Sequence, residues 1–455
     1  MASRITDWRP DDPTFWESTG RRVATRNLWI SIPALLLAFA VWMVWSVVVV
    51  KLRAIGFAFS EPQEFWLTAL PALAGATLRI VYSFVVPVFG GRTWTVLSTA
   101  SLLLPALGIG LAVQHPGTPY WVFVLLALSC GLGGANFASS MSNINYFFPK
   151  EQKGTALGLN AGLGNLGVSA MQFLVPAAIG VAVFGTLGGP PQQAVEHGVT
   201  RAMWLQNAGF VWVPMIAVVA LAAFLGMNDL ACTRASVAAQ TVVLRHKHTW
   251  IMCWLYLGTF GSFIGYAAAF PKLIKVAFAG VDPLQYAFLG PLVGALARPF
   301  GGWVSDRLGG ARVTFWNFLA MIAAVLCVLH FLAAGSFAGF FASFLVLFVT
   351  TGVGNASTFC MIPVIFLSDR LRAVVGADPQ AQEEARRDAA RASGAVLGFS
   401  SALGAYGGFI IPIAFGSAIQ RGSPQTALVQ FLVFYLTCLG LTWWHYARRN
   451  AGVPC

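Results

Sequence analysis

Two arginines, Arg79 and Arg298, stand near the middle of apolar stretches long enough to cross a bilayer. An arginine at the centre of a membrane helix costs roughly 2.5–3.5 kcal/mol on insertion scales, so its charge is expected to be used. The chain holds 16 Asp and Glu. All fall in a tail, a loop or a helix end. No carboxylate is therefore expected at mid-membrane to neutralise either arginine. Three roles stay open: a structural ion pair, capping of backbone carbonyls in a broken helix, and capture of an anionic ligand. The third is preferred. A guanidinium offers a planar fork of parallel N–H donors to an oxyanion and keeps its charge when desolvated.

Other candidate chemistry is sparse. Tyr256 and Phe260 are one helical turn apart and share a face. Phe137 follows Asn136 in a run of small residues. With 36 phenylalanines in the chain, residue type alone leaves packing or lipid contact as the ordinary reading of each. Gly154, Gly158 and Gly162 are spaced by four, as are Gly394, Gly398 and Ala402, with Gly404, Gly407 and Gly408 following. Such stripes pack membrane helices closely. Around Gly162, Gly164 and Gly167 they also predict smooth faces on which helices slide or bend. The same run, GLGNLG, matches a dinucleotide-loop pattern, but no strand precedes it and it sits inside an apolar helix. His246-Lys247-His248 lacks a third metal ligand. Most of the seven cysteines (Cys130, Cys253, Cys327, Cys360, Cys438) fall in apolar runs and read as buried thiols. With no nucleophile–base cluster, no metal set and no cofactor motif, an enzyme is not expected.

The elements that position these residues follow from composition. Hydrophobic residues make up 57% and charged residues 10% of 455, against about 25% charged in soluble domains. Mean hydropathy is +0.72. Twelve apolar runs are predicted as spans, near 28–50, 65–88, 94–113, 119–148, 154–184, 203–227, 249–271, 284–305, 313–333, 337–367, 391–419 and 425–446. With no alternating strand pattern, they must be helices. The fold class is all-α integral membrane: an N-terminal tail and six-helix half over 1–227, a cytoplasmic central loop over 228–248, and a C-terminal six-helix half over 249–455. The charged stretch 368–391 reads as a solvated loop with a short amphipathic helix. Lys and Arg fix the orientation. With the N-terminus inside, the outer segments carry only Lys51, Arg53, Arg201, Lys272, Lys275 and Arg421, so both termini are expected in the cytoplasm. The net charge of +12 then serves topology, and no nucleic-acid partner is implied.

The halves repeat. GATLR (Gly75 to Arg79) is followed by Gly90-Gly91, and GALAR (Gly294 to Arg298) by Gly309-Gly310, at a shift of 219 residues. LGLNAGLGNLG (Leu157 to Gly167) resembles LGFSSALGAYG (Leu397 to Gly407). Such duplication marks transporters that hold substrate between two repeats. GGWVSDRLGGARV (Gly301 to Val313) resembles the loop signature of the major facilitator superfamily, although Pro87 stands where the second half has Asp306. ITDWRPDDPTFW (Ile5 to Trp16), the GATLR helix, GANFASS (Gly134 to Ser140), the two glycine-rich helices and YLGTFGSFIG (Tyr256 to Gly265) together resemble the NarK-type nitrate/nitrite porters, nearly end to end.

That resemblance implies an inner-membrane nitrate/nitrite antiporter, functional as a monomer in the bilayer, with the anion held between Arg79 and Arg298. It also implies that Phe137 and Phe260 sandwich the flat anion while Tyr256 and Asn165 add polar contacts. A proton-coupled importer is the alternative. Proton-coupled carriers usually carry an acidic or histidine relay inside the membrane, and its expected absence favours exchange.

Overall fold

A computed structural model describes residues 4–196, 198–231, 242–374 and 378–448. His197, Arg234, Arg449 and positions 232–241 of the central loop lie outside the described residues. Among the described residues twelve long helices follow in chain order: α1 (Pro13–Ile55), α2 (Glu61–Tyr82), α3 (Gly91–Ala112), α4 (Tyr120–Phe147), α5 (Glu151–Ile179), α6 (Asn207–Gly226), α7 (Lys247–Ala277), α8 (Leu289–Leu308), α9 (Gly310–Ala333), α10 (Phe337–Ala373), α11 (Gln380–Gln420) and α12 (Gln425–Ala447). Eleven of them are both long and apolar enough to cross a membrane. The remaining one, α8, has 20 residues, a reach of about 30 Å, but its apolarity is lowered by Arg298, Asp306 and Arg307. In hydrocarbon every backbone N–H and C=O must bond within the protein, which is why these runs are helical.

Several edges differ from those read off the sequence. The stretch 368–391 is not a loop with a short helix: α10 continues to Ala373 and a helix resumes at Pro379. Asp378 starts it by accepting from the Ala381 backbone N–H at 2.7 Å, and Glu383–Arg387 and Asp388–Arg391 pairs line its first turns. Helix propensity and i,i+4 pairing carry a polar helix past the apolar limit that hydropathy detects. Cys327 is exposed and Cys360 partly so, rather than buried. Two short strand pairs interrupt the helical pattern. Arg4–Ile5 pairs in parallel with Asp229–Leu230, and Gln192–Glu196 pairs antiparallel with Val199–Met203.

The chain packs as two compact units. The first comprises Met1–Arg234, Ala267–Leu292 and Phe409–Ser417. Within it α2 packs mainly on α4, and α1 on α5 and α4. The second comprises Ala235–Tyr266, Val293–Gly408 and Ala418–Cys455. There α9 packs on α10, α10 on α11, and the start of α7 on α11.

Two features of the first unit bear on α7. Pro271 lacks the N–H that would bond the Ala267 carbonyl one turn back. The Gln172 side chain of α5 supplies it, donating to Ala267 O at 2.8 Å and to Ser46 Oγ at 3.0 Å. At the next residue, Lys272 is buried and donates to the buried Glu64 of α2, which Arg53 also pairs at 3.0 Å. Lys275 donates to the Val50 carbonyl. Lys272 and Lys275, assigned above to an outer loop, therefore belong to the last turns of α7.

The repeat is visible in the backbone. Gly90 and Gly309, 219 positions apart, precede α3 and α9 with φ of +87° and +90°, a region that favours glycine. In the first unit, where Pro87 replaces the signature carboxylate, Asp229 fills the loop, accepting from the Arg92 backbone N–H at 2.8 Å and from the Thr93 hydroxyl at 3.2 Å.

Candidate functional site

In the first unit Arg79 of α2 is fully buried. Its Nε and Nη2 both donate to the Gly134 carbonyl of α4, at 3.1 and 2.7 Å. Its Cζ lies 5.0 Å from the Phe137 ring centre and 5.4 Å from that of Trp42, within cation–π range. This approach needs small residues at the α2–α4 contact. A Cβ on Gly131 would come 2.6 Å from the Gly75 nitrogen, and one on Gly134 would come 2.6 Å from Trp42 Nε1. That indole N–H donates to the Pro71 carbonyl at 2.8 Å, fixing the ring above the arginine. Arg79 thus donates to a backbone carbonyl, but one inside the continuous helix α4 and not at a helix break. Asn165 of α5 is buried in the same unit, and its Oδ1 has no hydrogen-bond partner among the described residues.

In the second unit Arg298 of α8 is 8% exposed. Its Nη1 is buried without a hydrogen-bond partner among the described residues. Leaving a buried donor unmade costs about 1–3 kcal/mol, and more for a charged group. The guanidinium Cζ lies 5.4 Å from the Phe359 ring of α10. Tyr256 stacks on Phe359 at 4.4 Å and 7°, and Phe260 also stacks on Tyr256 at 5.2 Å and 17°. The expected shared face of Tyr256 and Phe260 is thus a direct ring stack, both rings fully buried. A π-helical turn over Leu257–Gly261 sets their register; such turns often mark functional sites. Gly404 lets Tyr256 in, since a Cβ there would sit 2.7 Å from its Cδ1.

The glycine stripes divide by environment. An added Cβ would strike Leu35 at Gly164, the Leu36 carbonyl at Gly167 and the Gly261 backbone at Gly407. At Gly158 and Gly162 it would meet nothing within 4 Å. Gly398 and Gly408 lie in α11.

The comparisons with known proteins identify the family to which this fold and its buried arginines belong. Residues 30–371 match the family model described as Major Facilitator Superfamily. The nitrate/nitrite transporter NarU of Salmonella typhimurium is 53% identical, covering 98% of this chain and 96% of the relative. The chain belongs to the NarK-type porters of the major facilitator superfamily. The "Probable nitrate/nitrite antiporter NarK2" of Thermus thermophilus is 44% identical, over 99% and 98% of the two chains. Among solved structures, a bacterial homologue of the human lysosomal transporter Spinster shares the superfamily fold with a TM-score of 0.63 at 14% identity, over 93% and 96% of the two chains.

Sequence reasoning passed over Trp42, Gln172 and Phe359. Nothing in the pattern marks the first two. Phe359 had a signal: the 219-residue shift that joins Arg79 to Arg298 carries Asn136 onto Asn355, one helical turn before Phe359.

Proposed function

We propose that this chain exchanges nitrate for nitrite across a bacterial inner membrane, by alternating access, with the anion held between Arg79 and Arg298. The observation that carries the reading is Arg298, a buried guanidinium whose Nη1 lacks a partner among the described residues; a monovalent oxyanion supplies the missing acceptor and charge. The names of relatives 44–53% identical over nearly the whole chain support the same substrates. Phe137 and Phe260 bracket the planar anion, with Tyr256 and Asn165 as polar contacts. The open glycine faces at Gly158 and Gly162, with the close-packed Gly164, Gly167, Gly404 and Gly407 and with Gly398 and Gly408 of α11, let helices move past one another. The two repeats are the six-helix halves on either side of the central loop. Both termini face the cytoplasm and the monomer is the working unit.

Exchange follows from electrostatics. Two guanidinium groups brought to either side of an anion, about 6 Å apart at an effective dielectric near 20, repel by roughly 3 kcal/mol when the anion is absent. Loaded carriers reorient and empty ones stall. Proteoliposomes preloaded with nitrite or nitrate should take up labelled nitrate rapidly, while empty vesicles should do so slowly even with an inward proton gradient. Accumulation at a comparable rate in empty vesicles under that gradient sinks the exchange reading. Proton-coupled import then takes its place, and one observation gives it footing: Glu64 is a fully buried carboxylate in a membrane helix.

A further inference from the structure

We propose that Phe359 is a positioning residue for Arg298, supporting the guanidinium from one face and leaving its N–H donors for the anion. This rests on the anion-exchange reading of Arg298.

The argument begins with the difference between the two arginines. Arg79 is held by two hydrogen bonds to one carbonyl, so part of its donor set is engaged by the protein. For Arg298 the structure offers an aromatic face instead, with Cζ at 5.4 Å from Phe359, while Nη1 stays buried and without a hydrogen-bond partner among the described residues. A ring face attracts a cation through its quadrupole without accepting its in-plane N–H groups. It therefore orients the fork without competing for it.

The support is itself rigid. Phe359 lies nearly parallel to Tyr256 at 4.4 Å. Tyr256 is wedged against Gly404, where even a methyl group would collide with it, and is backed by Phe260. A chain of contacts runs from the glycine of α11 through two stacked rings to the charge on α8. The rings leave the guanidinium few alternative positions, and orientation of the fork decides whether it makes two bonds to an oxyanion or one.

The test compares Phe359→Leu, which keeps volume and loses the ring, with Phe359→Tyr, which keeps the ring. Nitrate KM and maximal exchange rate are measured in proteoliposomes, and thermal midpoints on the purified protein without nitrate. We expect Phe359→Leu to raise nitrate KM about thirtyfold, the size of a desolvated cation–π contact. The maximal rate and midpoint should stay near wild type, and Phe359→Tyr should restore the KM. If the leucine variant does not fold, Phe359→Met serves the same comparison. A wild-type KM in the ring-free variant overturns the proposal, as does equal impairment by leucine and tyrosine. Failure of the underlying reading looks different: the unaltered protein would then show no nitrate exchange, or Arg298→Lys would exchange nitrate as fast as the unaltered protein.

Discussion

At the residue scale the two arginines face different demands, and lysine tests both. Lysine keeps the charge but replaces the planar fork with a compact ammonium. Arg79→Lys forfeits the paired donation to Gly134 O, and Arg298→Lys forfeits the guanidinium contact with the Phe359 ring. Each variant should insert normally and lose nearly all nitrate exchange; unimpaired uptake by either would move the site elsewhere. The aromatic residues give a graded prediction. Phe137→Ala removes a ring beside Arg79 and Phe260→Ala removes one side of the Tyr256 stack, so each should weaken nitrate binding while expression persists. Tyr256→Phe deletes a single hydroxyl and should cost only about 0.5–1.5 kcal/mol, or up to about 3 if its partner is charged. Unchanged nitrate affinity in both alanine variants would make these rings ordinary packing.

At the element scale the end of α7 is the informative piece. Pro271 leaves a carbonyl unbonded within the helix, and Gln172 satisfies it from α5. Right after the proline, Lys272 forms a buried ion pair with Glu64. Replacing one member leaves the other charge buried and uncompensated, a loss of about 3–5 kcal/mol. Glu64→Gln should therefore lower the thermal midpoint sharply. The double variant Glu64→Gln/Lys272→Met, with both charges removed, should recover most of it. A single variant as stable as wild type would show that the pair is solvated in the membrane-embedded protein. The apolar window of α7, read from sequence, stops short of these lysines because hydropathy penalises each charge separately. It does not detect two charges cancelling each other on helices far apart in the chain.

At the scale of the whole molecule the prediction is topological. With both termini in the cytoplasm, a cysteine placed in the 185–200 loop should react with an impermeant reagent added outside, and one at 370–388 should not. The opposite labelling pattern would reverse the orientation derived from Lys and Arg. The twofold repeat makes its own statement here. The glycines at 90 and 309 share a left-handed backbone, yet the carboxylate that accompanies the second arises locally, at Asp306, while the first loop receives one from Asp229, 137 residues from Arg92. The duplicated architecture persists while its parts are exchanged.

Composition, hydropathy and the positions of charge determined the many-helix membrane class, the repeat and the two central arginines. Each is a property of residues one at a time or at a fixed spacing, and the cost of polar groups in hydrocarbon forces them to show in the chain itself. The family resemblance followed from contiguous motifs for the same reason. Only the tertiary structure decided what those arginines touch. The Gly134 carbonyl bonded to Arg79, Phe359 beneath Arg298, Gln172 at the α7 proline and Lys272 on Glu64 all join residues 50 to more than 200 positions apart. Such pairings depend on which helices meet and at what height. Glycines such as Gly131 and Gly134 permit the meeting, but linear spacing does not name the partner.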